Sequence, residues 1–172
     1  SQSVINLESE TTAAQLHNNM IKVGSELMID TLNNIFSNTF NTTIQPVGKK
    51  LNKAPKINSQ TTRINWSNSL QEINNLVRGL SPYISDNNFL KDKAKCPGAW
   101  FFLELDGERK RIKIIKSKIE KSDKNSNFHI DTDNKTYLKI HKKLQSISLE
   151  FLQMEGKRIM PISEFLLGNP IY

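Results

Sequence analysis

The feature that most constrains the fold is a change of period at residue 99. From "AWFFLELDGERKRIKIIKSKI" onward, apolar and polar residues alternate one by one, and the run is broken at Asp106-Gly107. "NFHIDTDNKTYLKI" repeats the pattern around Asp133-Asn134, and "LQSISLEFL" alternates once more. Alternation of period two is a half-buried strand, and Asp-Gly and Asp-Asn are residues that tolerate the left-handed backbone of a tight hairpin. Five or so short strands with few helices predict a small open antiparallel barrel or a sandwich. A turn or two of helix over "SEFLLGN", stopped at Gly168, follows the last strand.

Upstream the period is that of a helix. After Thr11 and Thr12, Leu16, Met20, Val23, Leu27, Met28, Leu32, Ile35 and Phe36 recur every three or four residues, so an amphipathic helix is expected there, with Gly24 as a possible bend. Val4, Ile5 and Leu7 could end a strand. Residues 38–62 lose the pattern, hold Pro46, Gly48 and Pro55, and read as an extended linker. A second helix is expected after Ser69, which stands three residues before Glu72 as a capping box requires. Its apolar face is Ile73, Leu76, Val77 and Leu80, and Gly79 and Pro82 end it. Between Tyr83 and Pro97 lie thirteen mostly polar residues, Ile84 to Cys96, without period and with Lys91, Lys93 and Lys95; they read as a surface loop. The three units are therefore residues 1–37, a linker over 38–62, and a strand-rich domain over 63–172.

The charge is divided in the same way. Residues 1–48 carry one lysine against four acids, while residues 49–172 carry 23 Lys and Arg against 13 Asp and Glu, a surplus of +10 within a whole-chain charge of +7. A surplus of that size on one small domain fits a polyanionic partner, nucleic acid before membrane. The candidate phosphate contacts are Lys49, Lys50, Lys53 and Lys56 in the linker, Arg109, Lys110, Arg111 and Lys113 on the first hairpin, and Lys142, Lys143, Lys157 and Arg158 further on. Half-buried strands also place charged residues in water, so alternation alone leaves a solvated surface as the plainer reading. Phe101 and Phe102 are the adjacent pair that could put one aromatic ring on each face of a strand.

No signs of catalysis appear. His17, His129 and His141 stand apart in sequence with no Ser or Cys obviously within reach, no Gly-rich phosphate loop occurs, and the single Cys96 matches no zinc spacing, so no metal is expected. One cysteine, no apolar run of membrane-spanning length and no basic and apolar leader predict a cytoplasmic protein.

"APKI" at 54–57, "INW" at 64–66, "LVRGLSPY" at 76–83, "PGAW" at 97–100 and "LQMEGKRIM" at 152–160 stand in the order of, and together resemble, the C-terminal half of the methionyl-tRNA formyltransferase family. "ETTAAQLHNNMIKVGSELMIDTLNNI" is similar to the helical end of that family's catalytic domain. The resemblance implies an open barrel like the oligonucleotide-binding fold, preceded by the last strand and helix of a Rossmann-like domain. The implied partners are initiator methionyl-tRNA and the catalytic domain that precedes this region, with the chain a monomer. Formyltetrahydrofolate would be the co-substrate of the whole enzyme, and this chain would bind no cofactor. The family's catalytic Asn-x-His pair belongs to the preceding domain; Asn127-Phe128-His129 has that spacing but lies among the strands and lacks the residues that follow it, so this chain alone is expected to be inactive. Trp66 and Trp100 read as core aromatics, and Gly98 and Gly156 as turn residues. The rival readings are another folate-dependent formyltransferase and a free-standing nucleic-acid-binding barrel. Two departures stand out: the family joins the equivalents of Tyr83 and Pro97 almost directly, so residues 84–96 read as an insertion, and 121–133 lack the Pro-Gly pair expected before a third strand.

Overall fold

The structure is a computed structural model that describes residues 1–44, 53–92 and 94–171. Helix α1 spans Ala13–Phe36 and begins as expected: Thr12 accepts a hydrogen bond from the Gln15 amide and the Gln15 side chain accepts from the Thr12 amide. Its first turn is tied to the rest of the chain. Ala14 is fully buried and its amide donates to the Ser81 carbonyl at 3.2 Å, Gln15 Nε2 donates to the Ile84 carbonyl at 2.8 Å, and Arg78 donates to the Thr11 carbonyl. Beyond that turn, Met20, Ile21, Met28, Ile29, Leu32, Ile35 and Phe36 are all exposed. The strand considered at residues 4–7 does not form: residues 1–8 have no ladder partner among the described residues.

Helix α2, Leu70–Gly79, has the capping box that Ser69 and Glu72 announce, and two bonds from Ser69 hold the Glu72 carboxyl below its usual pKa. Ile73, Val77 and Leu80 are buried and Leu76 is half-buried against the core. The loop expected at 84–96 is in part a small β-hairpin, β1 (Tyr83–Ser85) with β2 (Asn88–Phe89), turned at Asp86 and Asn87, both with positive φ. It is not without a face. The Phe89 ring meets Tyr83 and Phe151 at 5.8 and 5.6 Å, Leu90 donates to the Pro82 carbonyl, and Cys96 is buried. The Gly98 amide bonds the Leu80 carbonyl at 2.9 Å and closes the base, as expected of an insertion whose ends lie together.

Four strands follow in one antiparallel sheet in chain order: β3 (Ala99–Leu105), β4 (Glu108–Thr132), β5 (Leu138–Met154) and β6 (Ile159–Pro161). Both expected hairpin turns are present, with positive φ at Asp106 and Gly107 and at Asn134. The strand count is lower than expected because the second and third expected strands are one, β4, and those expected over "TYLKI" and "LQSISLEFL" are likewise one, β5. Residues 121–133 contain no Pro or Gly to stop the ladder, so β4 runs on for 25 residues and absorbs its bend in bulges. The largest sets residues 122–125 between the pairs Lys121↔Gln145 and Ser126↔Lys143, where only Leu144 stands on the partner strand. Strand β6, after a turn with Gly156 at φ +74°, was not anticipated; it pairs with β5 alone, so the sheet is not closed into a barrel. The outer edge of β3 is partly covered instead: Ile64 donates to the Trp100 carbonyl and Trp100 to the Thr62 carbonyl.

The core lies between one face of the sheet and the helices α2 and α3 (Ile162–Gly168), with Ile73, Val77, Phe101, Ile112, Ile114, Ile147, Leu149, Leu152, Phe165 and Leu166 buried. Full burial of side chains of this size stabilises by about 1.5–3 kcal/mol each, against the entropy of ordering them. On β3 and β4 the buried Ala99, Phe101, Ile112 and Ile114 share one face by register, so the residues that alternate with them there face the other side.

Candidate nucleic-acid interface

That outward face carries the arrangement of interest. Register pairs Trp100 with Lys113, Phe102 with Arg111 and Glu104 with Arg109, and alternation puts all six side chains on the side away from Ala99, Phe101, Ile112 and Ile114. The contacts run diagonally. The Arg111 guanidinium lies 4.2 Å from the Trp100 ring centroid and that of Arg109 lies 4.0 Å from Phe102, while Trp100 and Phe102 meet edge to face at 5.1 Å. Arg63, from the segment flanking β3, stands 5.7 and 5.8 Å from the same two rings. Cation and ring therefore alternate across the face.

Stacking on a ring fixes the plane of a guanidinium and turns its N–H edge away from the ring, so the donors are held ready for an acceptor with little further loss of side-chain entropy. Arg111 Nε is buried and has no hydrogen-bond partner in the structure. Arg109 and Arg111 are two residues apart on one strand, so their stems are about 6.7 Å apart, on the scale of successive phosphates of one strand. Ile64, Trp66 and Phe101 line a groove beside them together with Arg63, Phe102, Glu104 and Arg109.

The remaining cations named from sequence fall elsewhere. Lys110 is on the other side of β4 and pairs with Glu108 at 3.2 Å; Arg158 pairs with Glu164. Lys142 has its ammonium on the backbone: it donates to the carbonyls of Trp66, Ser67 and Asn68 at 3.0, 2.9 and 2.6 Å, which ties β5 to the turn before α2. Lys143, with φ +57°, sits exposed at the large bulge, Lys157 is exposed in the β5–β6 turn, and Lys53 and Lys56 are exposed along the linker. Lys49, Lys50 and Lys93 lie outside the described residues.

Arg63 and the ring pair were missed as site residues. The available signal was that both parities of Trp100-Phe101-Phe102-Leu103 are apolar, so one parity had to face away from the core. Trp100 is buried, as a core aromatic would be, but on the outer side, where its Nε1 donates to the Ser59 carbonyl and to Thr62 Oγ1. The histidine reading also needs correction. His141 Nδ1 is 2.7 Å from Ser122 Oγ, and its Nε2 is 3.3 Å from Asp131 Oδ2, so a serine does lie within reach of a histidine. The large bulge carries Ser122 there, which spacing in sequence does not reveal. Nε2 is nonetheless outside hydrogen-bonding geometry, and Asp131 Oδ1 accepts from the Tyr137 hydroxyl, so the cluster reads as a polar tie across the hairpin. Of Asn127-Phe128-His129, Phe128 packs against Trp66 at 6.0 Å and His129 faces the His141 ring at 6.1 Å.

The bent antiparallel sheet thus presents an outer face on which arginines and aromatic rings alternate. Comparison with known proteins identifies the family. A family model described as "Formyl transferase, C-terminal domain" matches residues 56–170, and the chain belongs to that family. It is 36% identical to a methionyl-tRNA formyltransferase of Flavobacterium johnsoniae over 166 residues, which is 96% of this chain and 49% of the relative. It is 33% identical to one of Azobacteroides pseudotrichonymphae over 177 residues, 98% of this chain and 50% of the relative, and 30% identical to one of Thermodesulfovibrio yellowstonii over 170 residues, 99% and 48%. The chain thus spans about half the length of these relatives. No helix among the described residues is long and apolar enough to cross a membrane.

Proposed function

We propose that this chain is the C-terminal part of a methionyl-tRNA formyltransferase and that its role is to hold initiator methionyl-tRNA while the formyl group of formyltetrahydrofolate is transferred elsewhere in the whole enzyme. The observation that carries this reading is the outer face of β3 and β4, where Arg63, Arg109 and Arg111 stack on Trp100 and Phe102. Such contacts fix position without reading sequence, and the gain for catalysis is one of proximity. A formyltransferase whose acceptor lacks a chain of phosphates would have no use for that face.

In this reading residues 1–37 belong with the catalytic domain, 38–62 link the two and 63–172 form the tRNA-binding unit, open-sheeted and related to the oligonucleotide-binding barrels. The apolar side of α1 from Met20 to Phe36, exposed here, is the part that the catalytic domain covers. Formyltetrahydrofolate binds to that domain, and this chain alone is inactive and monomeric at low concentration. The test is filter binding of the chain to initiator tRNA, with Arg109→Ala/Arg111→Ala beside it. Binding that the double variant loses by tenfold or more supports the reading; equal binding by both proteins refutes it.

A further inference from the structure

We propose that the groove beside β3 is a stacking site for one unpaired nucleobase of the bound RNA, a step that rests on the tRNA reading above and adds a base contact to it. A site for phosphate alone needs donors and a path for the backbone. It has no need of apolar lining, yet Ile64, Trp66 and Phe101 line this groove, and the Trp66 ring meets Phe101 edge to face at 5.3 Å. Nor does a phosphate site gain from a carboxylate in its lining. Glu104 stands there opposite Arg109 in the sheet register. A carboxylate repels phosphate but accepts hydrogen bonds from the amino and ring N–H groups of a base edge.

Phe102 points the same way. It is 39% exposed, whereas its apolar neighbour Phe101 is 7% exposed in the core and Trp100 is 8% exposed under the 59–63 segment. An exposed ring on a basic sheet, flanked by guanidinium planes, is the platform on which single-stranded nucleic acids stack, because every base has a flat apolar face whatever its sequence. Trp100, Arg111, Phe102 and Arg109 already alternate ring and cation. A nucleobase is the next ring in the series, with its own phosphate within reach of Arg63 or Arg109. The cationic lining disfavours an apolar peptide as the occupant, since burying the two guanidinium groups without anions would be costly.

The experiment uses a short single-stranded RNA carrying one 2-aminopurine, whose fluorescence falls when it stacks, with intact initiator tRNA in parallel. The unmodified chain is expected to quench the probe. Phe102→Ala is expected to abolish the quenching and to weaken binding about 5- to 150-fold, the range for one base stacked on one ring, with the salt dependence unchanged. Phe102→Tyr should restore both. Arg109→Lys keeps the charge but loses the plane, and is expected to lose quenching while keeping the salt slope. Thermal melts of each variant show that it is folded, which the exposure of Phe102 favours. If Phe102→Ala and Arg109→Lys quench and bind like the parent, the contact is to phosphates only: the base site is refuted and the tRNA reading stands. If the parent chain binds neither RNA, the tRNA reading falls and takes this inference with it.

Discussion

Replacing Lys142 by Met separates a structural cation from a phosphate contact. The sequence places this lysine among the tRNA candidates, whereas its ammonium donates to three consecutive backbone carbonyls, those of Trp66, Ser67 and Asn68. Met keeps most of the apolar stem and removes the donors. A charge-assisted hydrogen bond contributes about 1.5–3 kcal/mol when its acceptor is shielded. Here the bonds to Ser67 and Asn68 are exposed and only that to Trp66 is part-buried, so water replaces two of the three at small cost. The expected loss is about 1–2 kcal/mol, or a fall of about 3–6 °C in Tm for a chain of this size. Urea unfolding followed by tryptophan fluorescence is the assay, since Trp66 is itself tied by this lysine. The tRNA salt slope should not change. An unaltered midpoint together with a salt slope smaller by about one contact would refute the structural role and return Lys142 to the phosphate set.

Three further outcomes follow from other parts of the fold. Phe89→Ala removes a half-buried ring from the Tyr83–Phe151 cluster and is expected to cost about 1–2 kcal/mol, below the cost of a fully buried Phe; a melt equal to the parent's would show that residues 84–96 are the unpacked surface loop that the sequence suggests. The Cys96 thiol is pushed above its usual pKa by burial and by Asp92, so iodoacetamide should label it slowly until the segment opens, and labelling as fast as in urea would contradict that burial. The Glu120 carboxyl is held below its usual pKa by the Lys139 bond at 2.7 Å. A carboxyl lowered in the folded state adds stability above its unfolded pKa that is lost as pH falls through the folded value. Glu120→Gln should therefore flatten the acid limb of the stability curve below about pH 4.5, and an unchanged limb would show that the pair contributes nothing, as many exposed pairs do.

Local chemistry was legible wherever one residue type can do the job. The capping box at Ser69, the helix start after Thr12, the turns at Asp106-Gly107 and Asp133-Asn134 and the turn glycines 98 and 156 all form where the sequence implies. Strand number was not, because the ladder of β4 and β5 continues through four unmatched residues with no local signal to mark them. The insertion misled for a similar reason: Phe89 and Leu90 are too few to make a period, and their partner Phe151 is far along the chain. Of the candidate surface, the shared side of Arg109, Arg111 and Lys113 was legible through alternation, since parity alone puts them there. Their rings were not, because deciding whether Phe101 or Phe102 faces the core needs the register with β4. For Lys110, Lys142 and Arg158 the sequence shows a charge but not the acid or carbonyl that holds it.

The most direct test of the central claim is the affinity of the chain for initiator tRNA as a function of salt. With about four phosphate contacts and a slope near 0.9 per contact, as for duplex DNA, a fourfold rise in salt should weaken binding on the order of 100-fold. Arg109→Ala/Arg111→Ala should lower the slope by about two contacts and weaken all tRNAs alike. A flat response in the parent, or an undiminished slope in the double variant, would contradict the assignment of the outer face of β3 and β4 as the surface that holds tRNA.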